Sequence, residues 1–337
     1  MLRLSRGQWQ SARRATAVAE PLHPSPASGT VGADLVDHFG AAGAARRERE
    51  VDHGSGDEAE RLCKYARHRL LSQGAADRTS AAMTDLFDRK LRALRRDRAA
   101  RTGGDPFLLE RAFDECLDRL HAIVRRVDRA LLIGCPSSAW PDRLRAFASD
   151  VDVVDPGPLF AQRSHGTAAD EDWHDFGEGQ YGLCIAVGTL DTVNELPLAL
   201  QLIRRALAPN APFIGAMTGG NSLPALRAAL IEADRSTGRA VARTHPRIEP
   251  ASLAGLLTAA GFAMPVVDVD RVRLRYPSLA GLIQDLRGMA ATGIMADRPP
   301  PLSKSAAMRA ATAFQQAGSD GRTEEFVEIL HFLGWSQ

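Results

Sequence analysis

One stretch of the chain carries residues whose types and spacing suit a nucleotide-type cofactor. Ala130-Leu-Leu-Ile-Gly-Cys-Pro-Ser-Ser-Ala139 reads as a buried strand entering a small-residue turn. About twenty residues further on, the apolar run Val151-Asp-Val-Val154 ends in Asp155. A carboxylate closing the second strand can accept both hydroxyls of a ribose, and a glycine in the turn lets the backbone approach the ligand. Gly134, Cys135 and Ser137 make up the candidate turn, Asp170 and Glu171 the candidate contacts to an adenine amino group, and Gly188 a later point of close approach. Each has an ordinary alternative. Asp155 also suits the turn Asp155-Pro-Gly-Pro158, Asp170-Glu171-Asp172 also reads as a solvated acidic loop, and Gly188 as a turn glycine.

No catalytic set accompanies these residues. His165, His174 and His245 are isolated in sequence, and Cys135 and Cys184 at strand ends read as small buried hydrophobes. A transfer reaction asks for little beyond alignment of donor and nucleophile, so a missing acid–base pair does not exclude one.

Strands and helices alternate around the candidate site. The patterning predicts strands at Ala130–Cys135, Val151–Asp155, Gly166–Ala169, Gly182–Val187 and Ala211–Met217, with helices near Pro141–Ala148, Leu196–Leu207, Leu223–Asp234 and Ser252–Ala260. Two extended runs, Ala263–Val269 and Val272–Tyr276, are expected to form a closing hairpin. The tail from Ser278 reads as helical (Leu279–Met289, Lys304–Gln316), with a final strand over Phe326–Leu333. The fold class is therefore α/β, a Rossmann-like doubly wound sheet with helical additions at both ends and its site between strands 1 and 4. Upstream, Leu86, Phe87, Leu91 and Leu94 fall at helical spacing among Arg89, Arg92, Arg96 and other basic residues. That basic stretch reads as a solvated face or as a docking surface for an acidic partner.

The chain has 337 residues, 45% hydrophobic and 25% charged, with a formal net charge of +1. Near-cancelling charge gives no case for nucleic acid as a partner. Cys63, Cys116, Cys135 and Cys184 are scattered without a CxxC pair, which predicts neither a structural metal site nor a disulfide scaffold. No apolar run approaches the length of a membrane span. The expected compartment is the cytoplasm, or the mitochondrial matrix if the Arg- and Ser-rich, acidic-poor start is a transit peptide. Residues 1–82 are expected to be a low-complexity extension, disordered or spurious, with one short helix over Ala59–Leu71. Residues 83–337 form the folded unit, with a core over 128–277 and a helical tail over 278–337.

The element order resembles the class I methyltransferase superfamily, the seven-stranded Rossmann-like proteins that bind S-adenosylmethionine. The likeness sharpens in Thr192-Val-Asn-Glu-Leu-Pro-Leu-Ala-Leu-Gln-Leu-Ile-Arg-Arg-Ala-Leu-Ala-Pro209, where Asn210 replaces the glycine of the family's Leu-x-Pro-Gly turn. Four further stretches narrow it. They are Leu86-Phe-Asp-Arg-Lys with Arg96-Asp-Arg-Ala-Ala-Arg101, Gly215-Ala-Met-Thr-Gly-Gly-Asn-Ser-Leu223, Val266-Val-Asp-Val-Asp270 with Arg275-Tyr-Pro-Ser278, and Leu333-Gly-Trp335. Together they resemble the methyltransferase-like assembly factors of respiratory complex I, over roughly Met83 to Trp335. The resemblance implies S-adenosylmethionine as cofactor and a protein partner, in that family a complex I subunit. It leaves open methyl transfer, hydroxylation of an arginine, or a non-catalytic assembly role. It also marks Asn221 and Tyr276 as candidate substrate contacts. The family's cofactor loop reads acidic-x-Gly-x-Gly-x-Gly, and here Leu132, Pro136 and Ser138 stand at the acidic, second-glycine and third-glycine positions. Leucine cannot accept a hydrogen bond, and proline fixes φ and removes a donor amide. The turn is either a weakened cofactor loop or the remains of one.

Overall fold

The computed structural model describes residues 85–123, 126–235 and 241–337. The expectations for residues 1–82, including the extension, the transit-like start, the helix over Ala59–Leu71 and Cys63, lie outside the described residues. A seven-stranded sheet runs in the order β3-β2-β1-β4-β5-β7-β6. Its strands are β1 (Val127–Ile133), β2 (Ala148–Asp155), β3 (Thr167–Ala168), β4 (Leu183–Val187), β5 (Pro212–Gly219), β6 (Phe262–Tyr276) and β7 (Thr323–Ser336). The first five are parallel; β7 is antiparallel to both β5 and β6. The chain leaves β1 toward β2 and β3 on one side and returns on the other through β4 and β5. The switch point therefore falls between β1 and β4, as the sequence predicts.

Alternation of side chains along β1 explains why the sheet is covered on both faces. Ala130 and Leu132 enter one core with α2 (Phe107–Ile123), α3 (Trp140–Leu144), α6 (Pro224–Asp234), α8 (Leu279–Gly288) and α9 (Lys304–Gln316). Leu131 and Ile133 enter the other with α5 (Leu196–Ala206) and α7 (Pro250–Ala259). The central strand β4 is apolar and buried at every position because water reaches neither side.

Three expectations need correction. Residues 262–276 are not a hairpin but one continuous strand, bent by a register shift between Ala263 and Val266 where Met264 takes φ +47. The final strand expected over Phe326–Leu333 is present and longer, as β7, but it is no appendage to a helical tail: it inserts between β5 and β6 and completes the sheet, which therefore extends past 277. The helix expected over Pro141–Ala148 stops at Leu144, since Phe147 and Ala148 turn inward to begin β2. Asn210 takes the left-handed φ of +61 at the turn where the family carries glycine, a conformation asparagine tolerates.

Candidate functional site at the switch point

Helix α1 (Arg89–Thr102) lies across the carboxyl ends of β2, β1 and β4, beside α4 (Pro158–Arg163). Asp88 caps its start by accepting from the Leu91 amide at 2.9 Å, and Gly103, at φ +63, closes its end. The apolar spacing of Leu86, Phe87, Leu91 and Leu94 predicts a different inward face from the one observed. Leu94 is 59% exposed, whereas Arg92 and Arg96 are buried with Ala99 and Ala100. An arginine-lined face turns inward because carboxylates wait for it.

Asp155 is fully buried at the end of β2. Its Oδ1 accepts from Arg96 Nε at 2.7 Å and its Oδ2 from Arg96 Nη2 at 2.5 Å. The amides of Cys135 (2.8 Å) and Gly157 (2.7 Å) donate to the same carboxylate. Asp155 thus ties the β1 turn to the β2 turn, and both its oxygens are taken. Glu171, also fully buried, receives both Arg92 terminal nitrogens at 2.7 and 3.1 Å, while Asp170 takes Arg92 Nη1 at 2.9 Å. Arg92 further donates to the Thr189 carbonyl at 2.7 Å. Burial works against both charges. The Arg92 guanidinium nonetheless holds Glu171 below the ordinary carboxylate range, and Glu171 and Asp170 hold Arg92 above its ordinary value. Arg89 grips Asp172 at 2.6 and 2.7 Å and lies over the Trp173 ring.

The turn residues sit where the sequence places them. Gly134 takes φ +78, and a Cβ there would overlap the Val187 carbonyl and lie 2.7 Å from the Thr189 methyl. Cys135 is buried; its Sγ faces the Ser137 carbonyl at 3.2 Å and Ser164 Oγ at 3.1 Å. Burial pushes its thiol up to about 12, which removes it as a nucleophile at neutral pH. Gly188 takes φ +67, and Leu109 of α2 fills the space a Cβ would need. Gly134, Cys135, Ser137, Asp155, Asp170, Glu171 and Gly188 are therefore brought together at the switch point. Asn221 and Tyr276 are not among them. The Asn221 amide donates to Glu328 at 2.9 Å with its side chain exposed, and Tyr276 packs in the core beside Leu279 and Leu282.

Deeper, between α1, α2, α8 and the ends of β4 and β5, lies a cavity of about 100 Å³. Its apolar walls include Leu108, Ala216 and Met289; its polar lining includes Arg92, Asp191, His245 and Arg247. Burial raises the Asp191 carboxyl, whose Oδ1 is buried without a hydrogen-bond partner, and lowers His245 to about 4. His245 is thus a neutral acceptor, receiving the Ile294 amide at 3.1 Å. Sequence reading missed Arg89, Arg92 and Arg96 as site residues. The signal was their i, i+3, i+7 spacing, which puts three guanidiniums on one helical face.

S-adenosylmethionine does not fit the site as it stands. Both oxygens of Asp155 are bound by Arg96, Gly134 is closed over by Val187 and Thr189, and the cavity that Gly188 lines, of about 100 Å³, falls below the roughly 300–1,000 Å³ of ordinary ligand pockets. Among the described residues there is no group of three or more His, Cys, Asp and Glu side chains arranged to hold a metal ion.

Strand order, the parallel βαβ run and the inserted antiparallel β7 define a class I methyltransferase fold. Within that class, the chain belongs to the family of arginine-hydroxylase NDUFAF5. It is 30% identical over 277 residues to the mitochondrial arginine-hydroxylase NDUFAF5 of Mus musculus, covering 76% of this chain and 79% of that protein. It is also 26% identical over 237 residues to malonyl-[acyl-carrier protein] O-methyltransferase of Halorhodospira halophila, covering 66% and 79% of the two chains. Among solved structures, the YcgJ protein from Bacillus subtilis superposes with a TM-score of 0.46 at 11% identity, over 66% of this chain and 97% of that one. No family model matches the chain.

Proposed function

We propose that this chain is an assembly factor for respiratory complex I that acts on an arginine-bearing protein partner and, with α1 docked, does not transfer methyl groups. The observation that carries the reading is the kinship with arginine-hydroxylase NDUFAF5 combined with the Arg96–Asp155 pair, which holds the ribose acid of the methyltransferase scaffold. The working compartment is the one where complex I subunits assemble: the mitochondrial matrix if the Arg-rich start is a transit peptide, the bacterial cytoplasm otherwise. No helix among the described residues is long and apolar enough to cross a membrane. A second reading, methyl transfer from S-adenosylmethionine to a protein, is favoured by the similarity to the malonyl-[acyl-carrier protein] O-methyltransferase.

Deleting the coding sequence in its own host should lower the amount of assembled complex I several-fold, and the full chain should restore it. Mass spectrometry of the complex I subunits then separates the readings. An arginine one oxygen heavier in the presence of the chain supports hydroxylation, and a residue one methyl group heavier supports the second reading. Undiminished complex I in the deletion strain contradicts the assembly role.

A further inference from the structure

We propose that helix α1 is the built-in occupant of the cofactor site and competes with an adenosyl nucleoside for the same carboxylates. This goes beyond the complex I reading and does not depend on it.

The three arginines facing the site are matched to its four acids: Arg96 to Asp155, Arg92 to Glu171 and Asp170, Arg89 to Asp172 and, at 3.6 Å, to Asp170. Asp155 has no exposed surface, so it needs donors in every folded state. The backbone amides of Cys135 and Gly157 supply two, and the guanidinium of Arg96 supplies the rest. A ribose can supply the same donors from its two hydroxyls, as it does for the acid that ends the second strand in dinucleotide folds. Guanidinium and ribose cannot occupy those oxygens together, so ligand binding at this position is an exchange.

The way α1 is held suits an exchange. Its buried face carries only Ala99 and Ala100 besides the arginines, so ion pairs rather than apolar area fix it. Its N-terminal side is anchored independently of the carboxylates. The Phe87 amide donates to Asn194 Oδ1 at 2.7 Å, and Asn194 Nδ2 donates to the Phe87 carbonyl at 3.0 Å. Its C-terminal end runs into Gly103-Gly104, where Gly103 already takes a left-handed φ. Its C-terminal half is held to α4 by the Leu159 amide donating to Asp97 at 2.9 Å, by Arg163 donating to the Ala100 carbonyl at 2.6 Å and by a small contact of Ala99 and Ala100 with Phe160. Its departure breaks these polar contacts and that small cluster but opens neither of the two large cores.

The test is calorimetric titration of the full chain, unmodified and as Arg96→Gln, with S-adenosylhomocysteine as probe. Glutamine keeps a donor near Asp155 but gives up the bidentate grip. The expected result is millimolar binding by the unmodified chain and at least tenfold tighter binding by the variant. Equal or weaker binding by Arg96→Gln overturns the proposal, since Arg96 would then be neutral or part of the ligand's own site. Absence of binding by both overturns it as well, since the site would be closed for reasons other than α1. If Arg96→Gln does not fold, trypsin digestion of the unmodified chain decides. Cleavage after Arg92 and Arg96 should speed up several-fold when millimolar S-adenosylhomocysteine is added; unchanged or slower cleavage overturns the proposal.

Discussion

Replacing Arg96 by alanine should destabilise the folded chain by about 3–5 kcal/mol, read as a fall in the urea midpoint at pH 7. That is the usual cost of leaving one charge of a buried pair uncompensated. The physical reason lies in Asp155. It has no exposed surface, and after truncation the donors left to it among the described residues are the amides of Cys135 and Gly157. Two amides do not neutralise a carboxylate in a dry site. The double variant Arg96→Ala/Asp155→Asn should recover part of the loss, because an amide in place of the carboxylate removes the stranded charge, although its single oxygen keeps an acceptor for only one of the two turn amides. Equal losses for Arg96→Ala and the double variant would mean that the pair is not coupled and that α1 contributes by packing alone. Exposed pairs such as Arg111–Asp270, with the arginine 46% exposed, should by contrast contribute at most about 1 kcal/mol.

Acid should destabilise the protein through His331, and His331→Leu should remove that component. His331 sits on β7 at 1% exposure, with neither ring nitrogen bonded. Burial, then the nearby Arg119, lowers its pKa from 6.5 to about 4, against the opposing carboxylates of Glu115, Asp270 and Asp268. The sign follows directly. The folded state keeps the imidazole neutral while the unfolded chain protonates near 6.5, so the unfolded state binds more protons and stability falls as the pH drops. The contribution is intact above the unfolded value and is lost between about 6.5 and 4, where it amounts to about 3 kcal/mol. His245, lowered to about 4 mainly by burial, acts in the same direction in both proteins, so the difference between wild type and His331→Leu isolates one residue. Parallel stability curves for the two across pH 7 to 4.5 would show that His331 already has a partner that keeps it charged or solvated.

Much of the fold was legible because the elements that build it obey single-sequence rules. The apolar runs of β1, β4 and β5 and the amphipathic faces of α2 and α5 declare themselves at their own periods. The β6 hairpin was misread because Asp268, Asp270 and Arg271 look like a turn. In an edge strand whose outer face is wet, charges at those positions continue the ladder, and Arg111 and Arg119 reach over to pair with them. That β7 would insert between β5 and β6 is a pairing across more than 100 residues, and no local pattern carries it. The site was half legible. Gly134, Asp155, Glu171 and Gly188 converge as the βαβ logic requires, but their partners lie on a helix whose arginines read as solvent-facing. Sequence patterning treats charge as an outward signal; here burial of Arg92 and Arg96 is offset by acids from separate loops, which only tertiary structure brings together.

Hydrogen exchange of the α1 backbone in the ligand-free full chain tests the central claim most directly. If α1 is docked by its arginines as the resting occupant of the site, the amides from Ala93 to Ala100 should exchange as slowly, within about a factor of ten, as those of the buried strands β1 and β4. Exchange of those amides at the rate of an exposed, fraying helix, orders of magnitude faster than β1 and β4, would contradict the account.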